Sequence, residues 1–458
     1  MLFHTWTFVI FFAVVYPGHL ILRHTRFKLP WLLVASYVFY ASWNPLYLGL
    51  IVYSTAIDYF AVMGMARSWR RRLWLALSVV NNLALLGLFK YAGFATDTLN
   101  AAVAALGGTY QIPAPDLLLP VGISFYTFQS LSYTIDYYRG YVDRETSFIR
   151  FATYVSLFPQ LVAGPIERAG HLLPQLQKPS KISTTDVTDG LSLFLVGLFK
   201  KIALADYLAM YVDKVYAMPS YFDGFTLVAA TFAFGWQIYF DFSGYTDMAR
   251  GIGRMMGFRL MLNFNNPYLA TGLGDFWARW HISLSSWFKH YLYIPLGGNR
   301  HGTFSTYRNM ALTMVISGLW HGAGWTFIIW GALHAVGRFV TRELERTRFY
   351  VRRVPRICKQ FGVFVFVTFT WIFFRAETWS DAVVIVKRIF TSGFANPNFP
   401  LLALFLIISI WLYQYLYESR VRRFLECAPV KIAIAVGILT YLTICPEGGE
   451  QPFIYFQF

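Results

Sequence analysis

Two histidines stand where an ionisable side chain is expensive. His321 lies in SGLWHGAGW (317–325), with apolar legs at about 309–320 and 325–337, and His281 lies in the aromatic run DFWARWHISLSSWFKHYLYIPLGGNR (275–300). Ionisable residues inside apolar stretches are functional candidates by default. A neutral imidazole at His321 is equipped to take a proton from an attacking hydroxyl; the competing reading is a buried histidine bonded to a backbone carbonyl beside packing glycines. His281 is either a catalytic or donor-orienting group or an interfacial residue among tryptophans. Arg279, Lys289 and Arg300, with Gly297-Gly298-Asn299 and Trp277 nearby, offer charge-assisted bonds and backbone amides to the phosphates of an anionic donor; alternatively they are ordinary snorkelling cations. The spacing Trp277/His281 and Asp275/Arg279 is i,i+4, which predicts a shared helix face for each pair.

A third polar cluster, WQIYFDFSGYTDMARG (236–251), carries Asp241 and Asp247, and structural pairing with Arg250, Arg254 or Lys200-Lys201 is expected. No P-loop, H-E-x-x-H or G-x-S-x-G is present. The nine histidines are scattered without carboxylates at ligand spacing, so no metal site is expected.

The elements that must hold these residues are membrane helices. The chain has 458 residues, 57% hydrophobic, 19% aromatic and only 14% charged, against about a quarter charged in soluble domains. Apolar runs recur at about 5–22, 29–43, 46–65, 73–92, 117–137, 187–212, 225–247, 361–378, 400–418 and 430–446, with a broken pair near 309–337. Each leg of that pair, read as about 12 residues, rises about 18 Å against a hydrocarbon core of about 30 Å. Gly322 and Gly324 then turn the chain, which places His321 near mid-membrane at the tip of a re-entrant hairpin or in a broken helix. The connection 248–308 is expected to form amphipathic or partly re-entrant helices, and 94–116 a short connector.

The net charge of +16 is a topology signal rather than a nucleic-acid footprint. With the N-terminus outside, all but seven of the 39 Lys and Arg fall on the cytoplasmic side, the exceptions being Lys90, Lys200, Lys201, Lys214, Arg375, Lys387 and Arg388. That asymmetry sets orientation by the positive-inside rule and leaves the tail PEGGEQPFIYFQF outside. The expected organisation is one all-α polytopic membrane domain over 1–458, with 275–337 as its catalytic core region and 447–458 as a periplasmic C-terminal tail.

WARWHISLSSWFKHYLYIPLGGNR followed by LTMVISGLWHGAGWTFIIWGALH resembles the signature region of the membrane-bound O-acyltransferase family, in its bacterial alginate O-acetyltransferase branch. Further matches are LLPVGISFYTFQSLSYTIDYYRG (118–140), FPQLVAGPIER (158–168), YFDFSGYTDMARGIGRMMGF (239–258) and WIFFRAE (371–377). The resemblance implies about eleven spans with re-entrant helices in the inner membrane, thin at the centre where a tunnel joins a cytoplasmic donor side to an outer acceptor side. It makes His321 the active-site histidine and His281 the second motif histidine. It implies acetyl-CoA as a donor substrate, with no permanently bound cofactor, and a periplasmic partner resembling an SGNH hydrolase that acetylates a polysaccharide. The final FIYFQF is similar to a motif of this branch in which the tyrosine, here Tyr455, receives the acyl group; tyrosine is a competent nucleophile once a base removes its proton. An aromatic anchor at the outer interface is the alternative. The rival functions are D-alanyl transfer from a carrier protein, a polysaccharide or solute transporter built from repeated halves, and direct acylation of a lipid or secreted protein without Tyr455.

Overall fold

The computed structural model describes residues 1–115, 117–444 and 453–454, and among them every regular element is helical. Two compact units are distinguished: Met1–Leu191 with Ala249–Met261, and Ser192–Met248 with Leu262–Phe458.

In the first unit, the helix Pro45–Arg67 begins where the Asn44 side chain accepts from the Leu46 amide and Pro45 fills the first turn, a start that uses groups with no helical partner. It packs against Arg71–Leu86, which continues through a π-helical turn, Gly87–Tyr91, into Ala92–Ala105. The expected short connector at 94–116 is therefore helical as far as Ala105. Leu73, Leu77, Val80 and Leu83 point outward, while Ser78 and Asn82 are buried and donate to Asp58 over 2.6 and 2.9 Å. A helix with leucines outside and polar groups inside is reversed relative to one in water, and suits a hydrocarbon solvent that offers polar groups no partner. Pro45–Arg67 and Arg71–Ala105 are long and apolar enough to cross a membrane.

In the second unit Arg356–Arg375 meets the same criterion of length and composition. The predicted pairing at 236–251 is present here: Lys200 Nζ lies 2.7 Å from Asp247, and Lys201 Nζ lies 2.9 Å from Asp241. The broken pair forms a hairpin of Gly302–His321 and Trp325–Leu344, each 20 residues and thus about 30 Å long. These legs are longer than the apolar pattern predicts because the flanking STYRN and RFVTREL stay helical although polar. Hydropathy marks the depth of the hydrocarbon, whereas helix length follows backbone pairing. Gly318 and Gly331 let the legs touch, since a Cβ on either would overlap the Phe327 or Met314 carbonyl of the opposite leg.

Candidate active site

His321 is the last residue of the first leg, 3% exposed. Its ring is boxed by Trp320, Trp330 and Phe374, with centroids at 4.9, 5.2 and 5.3 Å. The turn beyond it works differently from the sequence expectation. Gly322 and Gly324 have φ of −154° and −165°, an extended backbone open to any residue, so conformational freedom is not what glycine supplies. At Gly322 the reason is space: an added Cβ would overlap the Phe327 ring.

His281 does not share a helix face with Trp277. The helix Leu273–Arg279 ends, Trp280 is extended, and His281 adopts a left-handed φ of 43° before the next helix, Ile282–Phe288. Asn263 holds this turn. Its Oδ1 accepts from the Ser283 amide (3.2 Å) and the Ser283 hydroxyl (2.9 Å), and lies 3.0 Å from His281 Nδ1; its carbonyl accepts from the Ile282 amide at 2.9 Å. A backbone amide can only donate, so the Ser283 contact fixes which end of the Asn263 amide faces the histidine. His281 Nδ1 must then carry the proton, leaving the lone pair on Nε2. His281 is fully buried, an environment that disfavours the charged imidazolium, so it acts as a neutral group. Its ring lies 6.2 Å from that of Trp320, which in turn abuts His321.

A cavity of about 850 Å³ opens beside these helices, and Trp277, Lys289, Arg300, Arg338 and Arg342 are among the residues lining it. Three of the four predicted donor-binding residues are thus brought together. Arg279 is not on the lining; it is held by Asp275 at 2.7 Å, its own helix neighbour, and by Glu418 at 2.8 Å. Nor are most of the amides of the glycine turn offered to a ligand. Those of Gly297, Gly298 and Arg300 are spent within the turn on the carbonyls of Ile294, Tyr293 and Gly297. Asn309 pins the turn from below, donating to the Leu296 and Gly298 carbonyls at 3.0 Å each. An anion in this cavity would be met mainly by side chains.

The cavity is joined to His321 by aromatic contact. Trp277 meets Trp330 at 5.8 Å, and Trp330 meets His321 at 5.2 Å. His334, fully buried, fills the angle between them, 4.6 Å from Trp330 and 5.1 Å from Trp277. Thr370 Oγ donates to the Val367 carbonyl (2.7 Å) and so accepts from His334 Nε2 (3.0 Å).

Sequence reasoning missed His334, Arg338 and Arg342, although their spacing, i, i+4, i+8 on the helix after the His321 turn, is a legible signal for one face. It also missed Asn263, whose setting in NFNNPY carries no pattern. Tyr455 lies outside the described residues. Its neighbours Phe453 and Ile454 are 1% and 2% exposed, buried within the protein rather than displayed at a surface.

The helical hairpin, the histidine at its bend and the cationic cavity beside it all fall within residues 141–377, which match the model of the membrane-bound O-acyltransferase family, and this chain belongs to that family. It is a multi-pass membrane enzyme of that family. It is 41% identical to a protein named probable alginate O-acetylase from Azotobacter vinelandii over 86% of this chain and 79% of the relative. It is 33% identical to a peptidoglycan O-acetyltransferase from Helicobacter pylori, over 100% of this chain and 98% of that one. A teichoic acid D-alanyltransferase from Bacillus subtilis is 28% identical, over 49% of this chain and 59% of its own length.

Proposed function

We propose that the protein moves acetyl groups from a cytoplasmic thioester, acetyl-CoA, to the periplasmic side for O-acetylation of an exopolysaccharide or cell-wall glycan. The observation that carries this reading is the aromatic wall running from the cationic cavity through Trp277 and Trp330 to His321. Lys289, Arg300, Arg338 and Arg342 suit the phosphates of such a donor, and the apolar wall suits its acyl arm. Passing only the acyl group inward leaves those phosphates on the cationic side, where their charge costs least.

In this reading Tyr455 is the first acceptor. His321 takes the phenolic proton as the tyrosine oxygen attacks the thioester carbonyl carbon; a C–O bond forms, the C–S bond breaks, and the thiol leaves with a proton returned by the imidazolium. His281, a neutral group two rings away whose Nε2 can accept but not donate, orients the donor's acyl arm through an amide N–H of that arm. Acetyl-Tyr455 is discharged to a periplasmic acetyltransferase resembling an SGNH hydrolase, which acetylates the glycan. The relatives named as O-acetylases of alginate and peptidoglycan support a glycan acceptor, and the D-alanyl alternative rests on a weaker likeness over half the chain.

Purified protein given acetyl-CoA labelled in the acyl group should carry label on its C-terminal peptide when no acceptor protein is present. His321→Ala should abolish that labelling. Label retained in the variant removes His321 from the chemistry, and label arriving only from an aminoacylated carrier protein replaces the acetyl donor with the D-alanyl one.

A further inference from the structure

The buried charges near the end of the chain do more than neutralise one another. Lys201 Nζ lies 2.8 Å from Asp206 and 2.9 Å from Asp241, with both the lysine and Asp241 side chains under 5% exposed. Buried carboxylate is costly unless further hydrogen bonds satisfy it. One such bond comes from the far end of the sequence: the Ile454 amide donates to Asp241 Oδ2 at 2.7 Å. The preceding residue, Phe453, packs its ring on Tyr245 at 4.9 Å and on Phe242 at 5.8 Å. Phe242 in turn stands 4.7 Å from the His281 ring. The contacts therefore run without a break from Phe453 through Phe242 to His281, Trp320 and His321.

We propose that Asp241, set by Lys201 and Asp206, is a docking site for the chain's own C-terminal segment, gripping the Ile454 amide so that the next residue, Tyr455, is delivered to the histidine box. This rests on the reading of Tyr455 as acyl acceptor and adds to it a positioning device for that acceptor. The grip recognises main chain and an aromatic neighbour rather than a phenol. It works for a segment with an intact amide at 454 and an aromatic ring at 453. Bonded residues are at most about 3.8 Å apart between Cα atoms, so fixing residue 454 confines its successor whatever side chain that successor bears.

Two readouts on the full-length protein separate docking from chemistry. In the first, hydrogen exchange at the Ile454 amide is compared between wild type and Asp241→Ala. Loss of a bond to a charged acceptor should speed exchange by about 10- to 100-fold. An unchanged rate in a folded variant overturns the proposal. In the second, Ile454→Pro removes the donor while leaving every side chain of the ion cluster in place, and Ile454→Val retains it. Labelling of the C-terminal peptide from acetyl-CoA should fall at least about tenfold in the proline variant, as expected for loss of such a bond, and hold in the valine variant. Equal labelling in both also overturns it. If Tyr455→Phe leaves glycan acetylation intact while Asp241→Ala still releases the Ile454 amide, the acceptor reading fails and the docking site stands.

Discussion

The role of Asn263 can be tested more sharply than that of either histidine. Replacing it with alanine removes one oxygen that serves His281 Nδ1, the Ser283 amide and the Ser283 hydroxyl, all within 3.2 Å. At about 1 kcal/mol net per bond the direct loss is about 3 kcal/mol, and more where the buried donors find no water. The catalytic loss has a separate origin. Without the acceptor, the contact that selects the Nδ1–H tautomer is gone, and the left-handed turn at His281 loses its hold on the ring. Misplacement of an orienting group by about 1 Å costs about 100-fold in rate. We expect Asn263→Ala to lower kcat for acyl transfer by about that factor, with KM for the donor little changed because the cavity side chains are untouched. The control is Ser283→Ala, which deletes one of the three bonds but leaves the histidine contact; it should lower the melting temperature while kcat stays near wild type. Steady-state acyl transfer in detergent, with thermal melts alongside, reads both quantities. A folded Asn263→Ala enzyme with wild-type kcat would refute the reasoning, because the orientation of His281 would then be irrelevant to turnover.

Arg338→Ala with Arg342→Ala should raise KM for a phosphate-bearing donor by about tenfold or more, as expected for loss of charge-assisted bonds, with kcat nearly constant; Arg279→Ala, which breaks pairs to Asp275 and Glu418 away from the cavity, should leave KM unchanged. Gly322→Ala should destabilise by about 1–3 kcal/mol through overpacking against Phe327, and the additional change Phe327→Leu should recover part of the melting temperature, since the backbone there suits alanine. His171 is held above its ordinary imidazole value, first by its hydrogen bond to Glu167 at 2.6 Å. A raised folded-state value means its contribution to stability is complete below the unfolded value near 6.5 and disappears as pH rises through the folded one. The wild-type melting temperature should therefore fall relative to His171→Gln across that window; parallel curves would sink the assignment.

The legibility of this protein divides along physical lines. Hydrophobic runs of about 20 residues have little choice but to become helices in a bilayer, and the runs at 5–22, 46–65, 225–247, 361–378 and 430–446 correspond to Trp6–Leu22, Pro45–Arg67, Gly224–Met255, Arg356–Arg375 and Ala428–Ile444. A histidine flanked by tryptophan and glycines in such a run is costly enough to mark His321 as a candidate, and the partners open to Asp241 and Asp247 from sequence, Arg250, Arg254 and Lys200-Lys201, include the lysine pair found beside them. The interpretation of Gly322 was not, because a sequence cannot tell a glycine needed for its backbone angle from one needed for the room beside a phenylalanine 5 residues on.

What the sequence alone determined is therefore the solvent and the helices, and it marked the two histidines as candidates, since each follows from the cost of placing a particular side chain in hydrocarbon. The tertiary structure decided which of the cations serve the cavity, and it turned Arg279 aside because a carboxylate four residues earlier and Glu418 from a distant helix reach it first. It also decided that Asn263 sets the His281 tautomer and that Asp241 holds the Ile454 amide across 213 residues of chain. Those are hydrogen bonds between segments remote in sequence, with directions set by how helices pack. No local pattern encodes them.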